Sequence, residues 1–182
     1  NSAEGQRFFK AMACGANFAW ANRQMITHYV RQVWDKALNG RGLSVLYDVA
    51  HNIAKIENNL IVHRKGATRA FPGQPVLIPG SMGTASYVLI GQESGKEAFY
   101  SSAHGAGRMM SRHQAIKTLS GKEIVENLRS KNIIVKCYSM RGIAEEAPQA
   151  YKNIDEVVEI THQAGLSKKV ARLVPVAVIK GE

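Results

Sequence analysis

One stretch in the middle of the chain, residues 73–90, reads GQPVLIPGSMGTASYVLI. It places an apolar strand candidate, Pro75–Ile78, before a glycine-rich loop, and a second candidate follows at residues 87–90. We predict that residues 87–90 form a hairpin with residues 97–101, around the polar turn between them. Short strands joined by irregular glycine loops favour small mixed or antiparallel sheets over regular βαβ winding.

Helical patterns frame this central region. Apolar residues recur at near-helical spacing over residues 4–39, which predicts a long helix that ends at a glycine-rich turn. We also predict a helix from Arg108, a capped helix over residues 120–130, and another over residues 153–165. The remaining strand candidates are residues 43–49, 60–63, 133–137 and 173–179. The predicted fold class is therefore α+β, with mixed or antiparallel sheets and flanking helices, in one domain portion over residues 1–182.

The charge and composition limit the classes of partner. A formal net charge of +10 favours polyanions, with nucleic acid first. Aromatic residues make up only 7%, and no interleaving of aromatic and basic residues indicates a stacking platform, so a surface that holds phosphates fits better. No stretch approaches the roughly 20 apolar residues of a membrane span, and no signal peptide pattern precedes the first helix. We expect a cytoplasmic protein without a membrane partner.

The two cysteines, Cys14 and Cys137, belong to no metal-spaced pair. Free cysteine is among the most frequently buried residue types. The sequence therefore predicts two reduced and mostly buried thiols.

A first chemical segment, residues 47–52, reads YDVAHN and brings His51 and Asn52 to the end of a predicted strand. Imidazole suits Zn, Mn or Fe, and an Asn side chain can bond a phosphate or a base. His51 is therefore a candidate metal ligand. A hydrogen-bonded structural histidine is the alternative.

A second segment, residues 80–86, reads GSMGTAS. Glycines let backbone N–H groups approach an anion, and the hydroxyl groups add donors. The segment is not a Walker A loop, because no lysine follows the second glycine. A tight interstrand turn is the alternative.

A third segment, residues 101–108, reads SSAHGAGR. Small neighbours leave the His104 imidazole accessible to a bulky group, and neutral imidazole is a competent nucleophile. We expect the N–H groups of the helix that follows to favour anions, and Arg108 and Arg112, four positions apart, to clamp phosphate oxygens from one helix face. A structural histidine beside a helix start is the alternative.

A basic cluster, Arg64, Lys65 and Arg69, forms a fourth group. A solvated charged edge is the usual meaning of such a run. The functional alternative is a track for an RNA backbone.

Taken together, these segments resemble one family, the RtcB-type RNA ligases that act in tRNA splicing and RNA repair. The resemblance is carried by the segments at residues 13–24, 48–55, 63–71, 73–84, 104–108 and 177–181, in the family's order. Each segment is weak alone, but together they leave little room for coincidence.

The resemblance assigns roles to individual residues. His104 matches the histidine that takes up guanylate from GTP as a covalent intermediate, and His51 matches a manganese ligand that also lies at the nucleotide. The remaining matches to guanylate-binding positions are Asn52, Pro79, Gly80, Ser81, Met82, Ser86, Gly105, Ala106, Gly107 and Lys180. Lys65, Arg108 and Arg112 are the candidate contacts for RNA or phosphate.

The resemblance also implies an activity and its partners. The expected enzyme is a GTP- and Mn²⁺-dependent ligase that joins RNA ends with a 2′,3′-cyclic phosphate or 3′-phosphate to 5′-hydroxyl ends, such as tRNA halves. GTP is the co-substrate, a two-ion manganese site is expected in the complete protein, and an activating protein partner is a further candidate.

The sequence departs from the family pattern in four places. The family's N-terminal portion supplies an Asp, a Cys and two further His residues to the metal pair, and none of those motifs is present. We therefore expect this chain alone to lack full ligase activity. Two interior places, near residues 57–59 and between Pro72 and Gly73, look shorter than in the family, and Ala103 stands where many members have Cys.

Two other functions compete with the ligase. One is a non-catalytic RNA-binding or assembly module that retains the fold, which would bind RNA with strong salt dependence but take no label from GTP. The other is a metal-dependent hydrolase, which would need more His or carboxylate ligands near His51 than the sequence offers.

Overall fold

The computed structural model describes residues 2–40 and 42–175. Helices and small antiparallel sheets make up the chain, which confirms the α+β class. The chain forms two compact units, Asn1–Thr68 and Arg69–Glu182. Among the described residues, no helix combines the length and the apolar character that crossing a bilayer requires.

The first unit begins with a long helix, α1 (Ala3–Ala37), which confirms the predicted N-terminal helix. The Ser2 side chain caps it by accepting a hydrogen bond from the Gly5 N–H. No residue of α1 is buried. Cys14 on this helix is exposed and Cys137 is half-buried, so the prediction of mostly buried thiols is wrong for Cys14.

A tight hairpin follows, made of β1 (Asn52–Glu57) and β2 (Leu60–Lys65). Asn58 and Asn59 form its two-residue turn, and both have positive φ angles of 48° and 61°. Two-residue turns of this kind match the right-handed twist of paired strands, and Asn tolerates the left-handed region. The shortness expected near residues 57–59 is therefore accommodated by a well-formed turn.

Residues 43–49 do not form the predicted strand; they run without a ladder partner before the hairpin. Side chains of α1 bond to this region instead. The Arg31 Nε donates to the Leu43 carbonyl at 2.8 Å, and the Arg23 guanidinium pairs with Asp48 at 2.6 Å. Apolar composition predicted an extended segment, but not where its hydrogen bonds would go.

The second unit is built on an antiparallel sheet in the order β4 (Pro75–Ile78), β5 (Ser86–Gly91), β7 (Ser167–Leu173). Along the chain, the strand β3 (Ala67–Arg69) leads into this unit, and β6 (Ser101–Ala103) follows β5 and precedes the helices. The β4 strand is confirmed. The β7 strand includes Leu173 and ends there, so the predicted strand over residues 173–179 is wrong for Val174 and Pro175. Residues 176–179 lie outside the described residues.

The predicted hairpin between residues 87–90 and 97–101 is wrong. A 3₁₀ helix over Glu93–Ala98 follows β5, and Phe99 and Tyr100 then take positive φ angles of 50° and 47°. The β5 strand has β4 on one side and β7 on the other. The residues of β7 that pair with β5 lie about 80 positions further along the chain, a separation that local sequence patterns cannot reveal.

Within residues 69–175, four α-helices complete the unit: α2 (Arg112–Thr118), α3 (Gly121–Arg129), α4 (Met140–Glu145) and α5 (Ile154–Gln163). The predicted start of α3 is confirmed, because Ser120 accepts the Glu123 N–H. Asn153 caps α5 in the same way. The predicted helix start at Arg108 is wrong: Ser111 caps α2, which begins four residues later.

Two apolar clusters hold this unit together. One packs sheet residues against α5 and consists of Ala70, Val76, Ile78, Leu89, Ala106, Ile154 and Val158. The other joins α3 and α4 through Ile124, Leu128, Ile143 and Ala147. Ile133 and Val135 pack on the second cluster as single side chains of an irregular segment, so the strand predicted over residues 133–137 is wrong.

Candidate functional site

The glycine-rich loop, residues 79–85, is the connection between the antiparallel strands β4 and β5. Two of its N–H groups are bound by nearby hydroxyl groups: the Gly80 N–H donates to Oγ of Ser86, the first residue of β5, at 3.1 Å, and the Ser81 N–H donates to Thr84 Oγ1 at 2.7 Å. These two N–H groups, which the sequence suggested for an anion, are thus already engaged. The loop is an interstrand turn, and an anion bound here would need other donors.

Gly80 has no room for a side chain. A Cβ atom there would lie 2.1 Å from the Ala85 carbonyl oxygen and 2.4 Å from Thr84 Oγ1. The close approach of the two ends of the loop therefore requires glycine at this position.

We predict that Gly80→Ala destabilises the complete protein by about 2–3 kcal/mol, because a backbone carbonyl must move to admit the methyl group. Gly105→Ala is the matched variant, since its Cβ would meet only the Pro79 carbonyl oxygen at 3.8 Å, an ordinary contact. Urea unfolding of both variants measures the difference. Equal stability of the two variants would contradict this description of the loop.

The glycine loop is anchored on the helical cluster. Ser81 Oγ, which is buried, donates to the Glu146 carbonyl at 2.7 Å. Met82, with a φ angle of 50°, packs on the cluster formed by α3 and α4. The end of α4 therefore supplies an acceptor that fixes the loop, as the unpaired carbonyls at helix C-termini commonly do.

His104 follows directly after β6 and is half-buried. Its neighbours Ala103 and Gly105 are small. The 3.8 Å approach of the Gly105 Cβ position to the Pro79 carbonyl oxygen places this turn beside the glycine loop. Ala106 is buried in the cluster that includes Ile78, at the end of β4. The structure therefore brings together two of the segments that the sequence singled out.

Arg108 is held by internal partners. Its guanidinium donates to the Tyr151 hydroxyl at 2.8 Å and to the Glu145 carbonyl at 2.7 Å, and it lies 3.6 Å from the Glu146 carboxylate. It also stacks on the Tyr151 ring at 4.7 Å. Because α2 begins at Arg112, the expectation that Arg108 and Arg112 share one helix face is wrong.

The Arg108 network also joins the His104 turn to the glycine loop. Arg108 and Ser81 donate to the consecutive carbonyls of Glu145 and Glu146 at the end of α4. Burial raises the pKa of the Tyr151 hydroxyl, and its hydrogen bond to Glu146 adds to the rise. No sequence pattern predicted this network, because Arg108 and Tyr151 lie far apart along the chain.

Arg112 differs from Arg108 in its exposure. Its side chain is 70% exposed and pairs with Glu145 at 3.0 Å. A pair this exposed contributes little to stability and exchanges readily for other partners.

In the first unit, the hairpin end brings His51, Asn52 and Lys65 together. Asn52 is opposite Lys65 in the strand register, and the His51 carbonyl accepts the Gly66 N–H at 3.0 Å. All three residues are exposed. Within residues 2–40 and 42–175, no group of three or more His, Cys, Asp or Glu side chains is placed to hold a metal ion. His51 alone does not form a manganese site.

The other two members of the basic cluster have structural contacts. Arg64 is buried and pairs with both carboxylate oxygens of Glu57, at 2.9 and 2.7 Å. Arg69 donates to the Gln74 side chain at 3.2 Å and lies over the Phe71 ring. Of the cluster, only Lys65 is exposed, so neither a solvated edge nor an RNA track of three residues forms. Lys180, the last residue of the expected site, lies outside the described residues.

Comparison with known proteins gives one consistent family. The family model described as tRNA-splicing ligase RtcB matches residues 1–181. The tRNA-splicing ligase RtcB of Nanoarchaeum equitans is 53% identical, over 100% of this chain and 43% of the relative. The protein of the same name from Pyrococcus abyssi is 52% identical, over 99% of this chain and 22% of the relative. The RNA-splicing ligase RtcB of Mycobacterium tuberculosis is also 52% identical, over 100% and 46%.

The chain spans less than half the length of these relatives. The alignment with the Nanoarchaeum equitans protein runs over 207 positions, whereas the chain has 182 residues, so at least 25 positions of that relative lack a counterpart here. Shorter interior segments are consistent with this difference. Near Pro72 the chain closes as a turn, in which the Gln74 N–H donates to the Phe71 carbonyl at 2.8 Å.

Proposed function

The chain belongs to the tRNA-splicing ligase RtcB family, and from that premise we propose that it is the guanylate-binding part of a GTP-dependent RNA ligase. In this proposal the complete protein joins an RNA end with a 2′,3′-cyclic phosphate or 3′-phosphate to an end with a 5′-hydroxyl. The observation that carries the proposal is the position of His104, between small residues and beside the loop that begins at Pro79.

His104 is the proposed nucleophile. A nitrogen of its neutral imidazole attacks the α-phosphorus of GTP, an N–P bond forms, and the bond to the bridging oxygen breaks with release of pyrophosphate. Water opens a 2′,3′-cyclic phosphate end to a 3′-phosphate. An oxygen of that 3′-phosphate attacks the guanylyl phosphorus and displaces His104. The 5′-hydroxyl of the second RNA then attacks the activated 3′-phosphate, which forms the phosphodiester and releases GMP.

The glycine loop offers Ser86 as a donor to the guanylate phosphate. Ser86 Oγ already accepts the Gly80 N–H, and no acceptor among the described residues receives its own O–H proton. Thr84 and Ser81, in contrast, donate to the carbonyls of Ser81 and Glu146. The proposed guanylate contacts in this loop and at the start of β5 remain Pro79, Gly80, Ser81, Met82 and Ser86. Gly105, Ala106 and Gly107 are the proposed contacts in the His104 turn.

Arg112 is the better proposed phosphate contact of the two arginines. Its side chain is exposed and its one ion pair can be exchanged, whereas the donors of Arg108 have partners of their own. We assign Arg108 a structural role: it holds the His104 turn against the end of α4. Lys65 and Lys180 remain proposed contacts to RNA and to the guanine nucleotide.

Manganese is the proposed cofactor, with His51 as one ligand and Asn52 beside it at the nucleotide. The described residues do not fit the ion by themselves, because they contain no cluster of ligating side chains. The proposal therefore includes further ligands, for the expected pair of ions, from outside these residues. An activating protein partner and a cytoplasmic setting are parts of the same proposal.

The assay of RNA joining tests this function. We expect the complete protein, with GTP and Mn²⁺, to join a labelled RNA bearing a 2′,3′-cyclic phosphate to an RNA bearing a 5′-hydroxyl. RNA ends with a 3′-hydroxyl and a 5′-phosphate are the control and should not be joined. Binding of both RNAs without joining, in the presence of GTP, would favour the non-catalytic RNA-binding module instead.

A further inference from the structure

A cavity of about 890 Å³ lies in the second unit, between α3, α4 and the irregular segment that joins them. The tip of the glycine loop, Met82 and Gly83, forms part of its wall. A Cβ atom on Gly83 would lie 2.9 Å from both Ile133 Cδ1 and Leu128 Cδ2. The cavity and the proposed guanylate loop are therefore in direct contact.

The floor of this cavity is apolar. Leu128, Ile133, Val135 and Ile143 line it and belong to the cluster of α3 and α4 or pack against it. Ile134, on the same segment, is 87% exposed. An apolar surface of this kind accepts the flat faces of a base more readily than a strongly hydrated ion.

The walls of the cavity carry unneutralised positive charge. Lys131, Lys136 and Arg141 line it, and none of the three has an ion pair among the described residues. The two carboxylates that also line it are engaged: Glu145 pairs with Arg112 at 3.0 Å, and Glu146 accepts the Tyr151 hydroxyl at 2.7 Å. The cavity thus attracts an anion with several negative groups.

An aromatic side chain stands next to the lysines. Tyr138 lies between the lining residues Cys137 and Ser139, and its side chain is 100% exposed. The order Lys136, Tyr138, Arg141 is an interleaving of basic and aromatic residues, which the sequence prediction missed because the three are spread over six positions. Exposed aromatics beside cations are typical of surfaces that bind single-stranded nucleic acid.

We propose that this basic cavity binds single-stranded RNA next to the end that is joined. Lys131, Lys136 and Arg141 contact backbone phosphates, Tyr138 stacks on a base, and the apolar floor takes an adjacent base. The inference rests on the proposed ligase function, because it assigns that reaction's RNA to a place. Charge and the exposed tyrosine favour RNA over an acidic peptide, which would leave the stacking surface unused.

Salt-dependent binding of the complete protein to a fluorescent single-stranded RNA with a 3′-phosphate tests the cavity. We expect Lys131→Gln/Lys136→Gln/Arg141→Gln to weaken binding about 10–100-fold near 0.1 M salt and to lower the slope of log K against log salt by about 2, at roughly 0.7 per lost phosphate contact. Lys117→Gln/Lys122→Gln/Lys168→Gln, the control, removes equal charge from exposed lysines of the same unit that do not line the cavity and should bind nearly as the wild type does.

Three further variants separate RNA binding from a loss of folding. Tyr138→Ala should weaken RNA binding about tenfold, and Tyr138→Phe should retain it. Lys131→Arg/Lys136→Arg/Arg141→Lys keeps the charge and should bind RNA normally. Equal RNA affinity in the cavity triple variant and the control triple variant would overturn the inference. So would an acidic peptide that binds in the cavity of the wild-type protein without displacing the RNA.

Uptake of guanylate from GTP, measured on the same preparations without RNA, distinguishes the two proposals. The cavity triple variant should take up guanylate as the wild type does, because the lost cations contact RNA rather than GTP. Absence of uptake by the wild type would overturn the proposed function, whereas normal uptake with unchanged RNA binding in the variant would overturn only the cavity inference.

Discussion

His104→Ala is expected to abolish the uptake of guanylate from GTP by the complete protein, with a loss of at least about 1,000-fold. The reason is chemical: alanine has no nitrogen to form the N–P bond, and a covalent route loses its whole rate advantage without its nucleophile. Incubation with GTP labelled at the α-phosphate, followed by denaturing electrophoresis, measures the protein-bound label.

His113→Ala is the matched control for this variant. His113 is an exposed histidine of the same unit, on the first turn of α2, and has no assigned role. The control should take up label as the wild type does. Label on His104→Ala at the wild-type level would remove His104 from the reaction, while the RNA-joining assay would still test the ligase function.

Arg64→Ala is expected to destabilise the complete protein by about 3–5 kcal/mol, the range for one partner removed from a buried ion pair. The Arg64 side chain is 1% exposed and that of Glu57 is 12% exposed, so the variant leaves a carboxylate in a place that water reaches poorly. Urea unfolding, followed by far-UV circular dichroism, gives the free energy of unfolding.

Arg23→Ala is the comparison, because Arg23 pairs with Asp48 at 2.6 Å while both side chains remain 32% and 44% exposed. Its expected cost is below about 1 kcal/mol. The double variant Arg64→Met/Glu57→Leu should recover much of the loss, since it removes both charges together. A small effect of Arg64→Ala, similar to that of Arg23→Ala, would show that the Arg64 pair is solvated and that the first unit is packed differently.

The features that the sequence predicted well have local causes. The helix α1 follows from apolar spacing over many turns, and α3 and α5 begin where Ser120 and Asn153 accept backbone N–H groups two or three residues ahead. Such signals lie within a few residues of each other, so they can be read without knowledge of the tertiary structure.

The predictions that were wrong concern residues whose structure depends on contacts with other elements. Two regions, residues 43–49 and residues 133–137, have strand-like composition. The first accepts hydrogen bonds from side chains of α1, and side chains of the second pack against an apolar cluster. Arg64 belongs to a basic run that predicted a solvent-exposed edge. Its side chain is instead buried and paired with Glu57 on the other strand of the hairpin. Periodicity does not encode which of these tertiary contacts forms.

The candidate site shows the same division. The segment around His104 and the glycine loop stood out in the sequence, and the structure places Gly105 beside Pro79. The contacts of Arg108 with Tyr151 and with the end of α4 join residues about 40 positions apart, so sequence patterns did not predict them. The same holds for the cavity at the tip of the loop. Composition identified the residues with unusual chemistry, and packing decided which of them face inward.

Mapping the guanylate on the wild-type protein tests the central claim most directly. The complete protein is incubated with GTP and Mn²⁺, digested at neutral pH, and sequenced by mass spectrometry. We predict one guanylate per chain, on the peptide that contains His104, lost on brief exposure to acid because protonation makes imidazole a good leaving group. A guanylate on another residue, or none on a preparation that joins RNA, would contradict the assignment of His104.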